Sequence, residues 1–317
     1  MSIDRRSFIS TIAAAGASLT LNGLQGIGSM IGSTESKRKI HVFSKPLVWL
    51  GYEDLAALLY EAGAEGIDLT VRPGGNILPE NVESDLPRAV EAARKKGLTV
   101  EMIVTGIVSA DEKYAESIIR TASSLGVKFY RLGWINYDDN LGIAGTIRKF
   151  RSDLKKLEVL NRKYGIHGAY QNHSGTMVGA AVWDIYEAIE DLDPRFIGCQ
   201  YDVRHAVVEG ADSWPNGLKL IAQWIKCTDI KDFKWIETDR KWNPVSVPLG
   251  DGIVNFDEYF TLIKTLNISG PMSLHFEYPP FENEKETGAE ADKKEIFIRE
   301  IRRDIDRLKA LRSKYLL

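Results

Sequence analysis

The chain has 317 residues, 44% of them hydrophobic and 27% charged, with a formal net charge of −3. That composition is ordinary for a folded protein that buries a large core, and it lacks the net basicity and the basic–aromatic stripe of a nucleic-acid binder, which excludes that class of partner. Cys199 and Cys227 lie in no CxxC or CxxH pattern, so they are expected as small buried hydrophobes and not as a disulfide framework.

The chain opens with Asp4-Arg5-Arg6-Ser7-Phe8-Ile9, followed by an Ala- and Gly-rich apolar stretch from Ile9 to Leu24. A basic region before a moderately apolar one is the layout of a bacterial export signal, and the Arg-Arg pair with a Phe one residue on resembles the twin-arginine type. Asn22, Gly23 and Gln25 interrupt the apolar run, making it weak for a membrane span. Residues 1–35 are therefore expected to be an export segment, giving a periplasmic protein with no stable membrane span after processing. No other stretch is a transmembrane candidate. Residues 36–317 are expected to form one domain, free to assemble as a homo-oligomer.

From residue 40 onward, β-rich runs alternate with helical patterns, as parallel βαβ units do. Strand one is predicted over 40–44 with a helix over 52–62. Strand two covers 66–71 with a helix over 83–96. Strand three covers 98–105 with a helix over 111–125. Strand four covers 127–132 with a long helix over 143–164. The second half repeats the rhythm: strand 166–172 and helix 181–192, then strand 197–202 and helix 214–222. Strand 224–230 follows, with a longer loop and a helix over 256–266, and last come strand 271–277 and an amphipathic helix over 291–316. Gly63, Gly97, Gly126 and Gly165 stop four helices directly before the next strand, the chemistry expected of short αβ loops. Eight such units fit a closed (β/α)₈ TIM barrel. An open doubly wound sheet is opposed by the stretch after strand one, Lys45-Pro46-Leu47-Val48-Trp49, which holds no glycine-rich phosphate loop.

In such barrels the chemistry sits at the C-terminal ends of the strands. Strands five to eight end in Gln171-Asn172-His173, Gln200-Tyr201-Asp202-Val203-Arg204-His205, Asp229-Ile230-Lys231-Asp232 and His275-Phe276-Glu277. Alternate residues of a strand share a face. That pairs Gln171 with His173, Gln200 with Asp202, Asp229 with Lys231 and His275 with Glu277 in the barrel mouth. Carboxylates, imidazoles and an amide oxygen converging from adjacent strands make a site for a divalent metal.

These stretches resemble the xylose isomerase-like barrel superfamily, within its sugar phosphate isomerase/epimerase group. Asp202-Val203-Arg204-His205 looks like that group's D-x-x-H after strand six. Asp229-Ile230-Lys231-Asp232 looks like its H-x-K-D after strand seven, and Leu249-Gly250-Asp251-Gly252-Ile253-Val254-Asn255-Phe256 like its G-x-G-x-[IV]-[DN]-F turn. Ala62 to Leu69 matches the usual entry into strand two. The resemblance spans about residues 40–310. It implies one divalent ion (Mn, Zn or Mg) held by Glu, Asp, His and Glu, and those positions fall here on Gln171, Asp202, Asp229 and His275, or on Glu277 in a register shifted by two. Gln171 cannot take a proton, so the acid/base pair of the group's ketose epimerases is incomplete.

The function this implies is a sugar isomerase or epimerase working through a metal-stabilised enediolate. Glu277, His173 and His205 are the candidate bases and Lys231 the oxyanion stabiliser. Arg131, Trp134, Trp49 and His205 are expected to bind a small-molecule carbohydrate. No glycine-rich cup follows strand seven or eight, so a free sugar, a keto-sugar or a glycoside is expected before a sugar phosphate. The missing Glu also leaves room for a keto-sugar lyase or hydratase, or for a non-catalytic carbohydrate-binding barrel with a degenerate metal site.

Overall fold

The structure, a computed structural model, describes residues 37–281 and 290–317. The expected export segment lies outside the described residues. Eight parallel strands close into a barrel: β1 (Ile40–Phe43), β2 (Gly66–Val71), β3 (Thr99–Thr105), β4 (Phe129–Arg131), β5 (His167–Gln171), β6 (Ile197–Asp202), β7 (Ile225–Ile230) and β10 (Met272–Leu274). They pair in chain order, and β10 closes the ring on β1 through Ile40 opposite Met272 and Val42 opposite Leu274. The expected (β/α)₈ fold is thus the observed one.

Helices α1 (Tyr52–Glu61), α2 (Val82–Lys95), α3 (Ala115–Ser124), α4 (Gly142–Tyr164), α5 (Val182–Ile189), α7 (Trp214–Ile221), α8 (Phe256–Thr265) and α9 (Glu290–Tyr315) follow successive barrel strands. Their sequences dictate which face turns inward. In α9, Phe297, Ile301, Ile305 and Leu308 recur at helical spacing and are fully buried. Each such side chain contributes about 1.5–3 kcal/mol to holding the helix on the barrel. At the bottom, α4 ends on Gly165 with φ 66°, a left-handed conformation that a Cβ would disfavour, and the chain turns straight into β5. Cys199 and Cys227 are free and buried. Among the described residues no helix is long and apolar enough to cross a membrane.

Three local differences from the sequence-based expectation shape the mouth. First, the residues after β6 form a helix, α6 (Val203–Gly210), where a loop was expected. Asp202 is its N-cap, accepting the His205 amide at 3.1 Å, and an N-cap Asp offsets an orphan donor of the first turn. Second, the long loop after β7 contains an antiparallel hairpin, β8 (Asp232–Thr238) and β9 (Lys241–Val247). Asp239 and Arg240 form its two-residue turn, both with positive φ, as a primed hairpin turn requires. Third, strand eight is only three residues long, so His275 and Glu277 lie beyond the ladder.

The Leu249–Phe256 turn locks onto the start of the hairpin. The Asp232 carboxylate accepts the amides of Gly250 (2.8 Å), Gly252 (3.0 Å) and Val254 (3.1 Å). A Cβ on Gly252 would meet Asp232 Oδ1 at 2.0 Å, so only glycine admits that approach. This motif is architecture, and Asp232 is spent on it.

Candidate active site

At the floor of the mouth stand three buried groups, Asp68 of β2, Asp229 of β7 and His275 beyond β10. Each offers a ligand atom, and these atoms lie within 4.8 Å of one another. Ser273 Oγ donates to Asp68 Oδ2 at 2.7 Å, while Asp68 Oδ1 and both ring nitrogens of His275 have no hydrogen-bond partner. Buried polar atoms are otherwise nearly always bonded. Burial, followed by the charge of Asp229, pushes the Asp68 carboxyl up to about 7. His275 stacks on Phe43 with ring centroids 4.2 Å apart, and its Nε2 lies 3.3 Å from Asp229 Oδ1. Two carboxylates and one imidazole with open lone pairs fit a divalent metal ion.

This is not the shell the resemblance implied. Asp229 and His275 belong to it, but Gln171 and Asp202 are engaged otherwise. Gln171 Oε1 accepts from Arg131 Nη1 at 2.7 Å, and its amide nitrogen donates to Asp202 Oδ2 (2.9 Å) and Asp229 Oδ2 (2.6 Å). Flipping the amide would set its donors against a guanidinium and its oxygen against two carboxylates, so the network fixes its orientation. Gln171 therefore clamps the two carboxylates and withholds its oxygen from the floor. Gln200 Nε2 donates to Asp229 Oδ1 at 2.7 Å as a second amide clamp.

Asp202 is held by Lys231, whose ammonium lies 3.0 Å from Asp202 Oδ2 and 2.9 Å from Glu277 Oε2. Burial alone would lower the lysine pKa, but the charges of Asp202 and Glu277 outweigh it and the pKa is raised. Burial works against the Glu277 carboxylate too, yet Lys231 and His275 hold it well below the usual range. His205 Nδ1 accepts the Ser174 amide at 3.1 Å. Its Nε2 lies 2.9 Å from Lys231 Nζ and 3.6 Å from Asp202 Oδ2. The structure thus places both ring nitrogens of His205, the expected base and sugar ligand, against protein groups, Ser174 at Nδ1 and Lys231 at Nε2. Desolvation, then Lys231, keeps His205 well below its ordinary pKa.

Above this floor is a small hollow walled by Arg131, Trp134, His173, Lys231 and Glu277. A larger hollow of about 350 Å³ beside Tyr114 and Pro79 is lined mostly by apolar side chains and lies outside this cluster. His173 packs against His205 (3.9 Å) and Trp134 (4.7 Å). Burial, then Lys231, lowers its pKa to about 4, leaving it neutral at ordinary pH. Trp49 does not line the hollow: its ring sits edge-on to Phe297 of α9 at 6.1 Å, and its indole N–H is bonded to the Pro46 carbonyl. The single turn of helix at Lys45–Leu47 carries it there.

Sequence reasoning missed Asp68, Phe43, Lys45 and Arg72. Asp68 left a signal, since it is a lone carboxylate between Ile67 and Leu69 in a strand with no other charged residue. A fully buried acid is rare without a partner or a metal.

The sequence profile of a xylose isomerase-like TIM barrel family matches residues 56–301. An inosose dehydratase from Bacillus anthracis (strain CDC 684 / NRRL 3495) is 28% identical over 144 residues, which cover 42% of this chain and 47% of that protein. The chain thus spans about half the length of the curated relatives it matches. Among solved structures, the IOLI protein with a bound zinc atom superposes with a TM-score of 0.66 at 17% identity, covering 87% of this chain and 99% of that one. D-psicose 3-epimerase from Clostridium cellulolyticum H10 superposes at 0.63 with 11% identity, covering 86% and 99%. At these identities the superpositions show a common fold.

Proposed function

We propose that this chain, which belongs to the xylose isomerase-like TIM barrel family, is an enzyme that moves a proton on the carbon beside the carbonyl of a keto-sugar, as an isomerase or epimerase. The observation that carries this is Lys231: a buried cation 2.9 Å from the Glu277 carboxylate, both lining one hollow at the barrel mouth. A carboxylate beside a fixed cation is what enolisation needs. Glu277, kept ionised, takes the proton from carbon, and the Lys231 ammonium stabilises the negative charge that develops on the adjacent oxygen. The proton that Glu277 takes is the one it returns to carbon, while neutral His173, its Nδ1–H donated to the Ser174 carbonyl at 2.9 Å, keeps Nε2 free to accept from a substrate hydroxyl on the same wall. Arg131 and Trp134, whose guanidinium and ring are 4.6 Å apart, orient the sugar. Asp68, Asp229 and His275 would hold a divalent ion, with Mn, Zn and Mg as the candidates for that donor set, and a bound ion would polarise the substrate carbonyl.

A second outcome of the same proton abstraction is loss of a β-hydroxyl, which is dehydration. The partial similarity to inosose dehydratases favours it. Incubating the metal-loaded protein with keto-hexoses and keto-inositols in D₂O and following products by NMR separates the cases. An epimer or isomer supports the first, and an unsaturated or deoxy-diketo product supports the second. Absence of carbon-bound deuterium in every substrate tells against both. The Arg5-Arg6 motif further supports export through a twin-arginine route to the periplasm, where such a sugar is met outside the cytoplasm.

A further inference from the structure

We propose that the substrate is an acidic sugar, whose carboxylate is bound by Arg131 and Arg72 over Phe43. This deepens the keto-sugar reading above and rests on it. Arg131 is 2% exposed, yet its Nε is buried with no hydrogen-bond partner, and the bond it does make is to the neutral amide of Gln171. Arg72, half-buried, lines the same wall. The two guanidinium carbons lie 5.7 Å (Arg131) and 6.0 Å (Arg72) from the Phe43 ring centroid. Lys45 completes this side of the hollow.

Asp68, Asp229 and Glu277 lie close enough for their charges to act on the two arginines, so this charge is in surplus only once a cation occupies the floor. Lys231 pairs with Asp202 and Glu277, one positive charge against two negative, two neutral amides bond Asp229, and the Ser273 hydroxyl bonds Asp68. A divalent ion at Asp68, Asp229 and His275 would add two positive charges at the floor. A neutral sugar would then leave a desolvated guanidinium facing hydroxyls, with one N–H unmet. A planar carboxylate offers the matching pair of acceptors, which is the geometry that guanidinium groups select. Phosphate is disfavoured because, among the described residues, no glycine-rich run of backbone amides lines the hollow.

The test compares three matched ketoses, D-fructuronate, D-fructose and D-fructose 6-phosphate, by isothermal titration against the folded protein loaded with Mn²⁺. D-fructuronate is expected to bind about tenfold or more tightly than D-fructose, the size of one charge-assisted bond. Arg72→Gln is expected to bring that preference to about threefold or less, with D-fructose affinity changed less than about twofold. Lys45→Gln, more exposed, is expected to do the same to a smaller degree. Equal affinity for the acid and the neutral sugar overturns the proposal, as does a preference that survives Arg72→Gln, or no binding of D-fructuronate at about 10 mM. Tighter binding of the phosphate ester overturns the carboxylate assignment. Because binding is read without turnover, this outcome is independent of whether proton exchange occurs.

Discussion

Replacing Gln171 by Glu puts a carboxylate where the amide now bonds two others. The side-chain nitrogen lies 2.9 Å from Asp202 Oδ2 and 2.6 Å from Asp229 Oδ2, and all three residues are buried. Two hydrogen bonds to charged groups, worth about 1.5–3 kcal/mol each, are lost. Arg131, 2.7 Å from Oε1, gains an ion pair that returns part of this. A net loss of about 2–4 kcal/mol is expected in chelator. At about 2–4 °C per kcal/mol for a domain of this size, Tm falls by about 5–15 °C. Saturating Mn²⁺ or Zn²⁺ should reverse the loss, because a cation satisfies the clustered carboxylates, and a ligand at a hundred times its Kd adds about 2.7 kcal/mol. Differential scanning fluorimetry with EDTA and with each metal, alongside elemental analysis after dialysis, reads both effects. A variant as stable as the wild type in EDTA, or equally destabilised with and without metal, would refute the amide-clamp account of Gln171.

Other perturbations follow from the same contacts. Lys231→Met leaves the buried Asp202 carboxylate without its counter-ion, a loss of about 3–5 kcal/mol. Lys231→Met with Asp202→Asn should recover most of the Tm while proton exchange stays lost. Recovery of exchange would remove Lys231 from the chemistry. For pH, burial lowers the pKa of His41 and of His167 to about 4, against about 6.5 in the unfolded chain. Between pH 6.5 and 4 the unfolded state binds more protons at these two sites, so stability falls as pH drops through that window. Asp68, pushed up to about 7, works in the opposite direction and offsets part of it. Tm should therefore decline from pH 7 to 4.5, and a flat or rising Tm would contradict the buried neutral imidazoles. Arg5→Lys with Arg6→Lys should hold the precursor in the cytoplasm, checked by fractionation, and unchanged periplasmic delivery would contradict the export reading.

The barrel was legible because strand–helix alternation and the glycine stops are local features, each encoded within a few residues. The strand ends were legible for the same reason, since period-two alternation places Asp229 and Lys231 on one face. Side-chain partnerships were not, because they depend on which neighbour across the ring reaches first. Gln171 occupies a ligand position in sequence, but Arg131 from β4 captures its oxygen. Asp202 keeps the expected residue type, yet Lys231 and the first turn of α6 occupy it. Asp68 sits three strands away in chain order from the stretch where ligands were sought, and barrel closure through β1 and β10 brings it beside His275. The hairpin was hidden by Pro244 and by a turn, Asp239-Arg240, that lacks the usual glycine.

The central claim is that Glu277 and Lys231 act together on a proton beside a carbonyl. Wild-type protein loaded with Mn²⁺ should incorporate deuterium from D₂O at that carbon in at least one acidic keto-sugar, and Glu277→Gln should slow the incorporation by about a hundredfold or more while the fold and metal content stay unchanged. Exchange that persists undiminished in Glu277→Gln, or its absence from metal-loaded wild type with every keto-sugar tried, would contradict it.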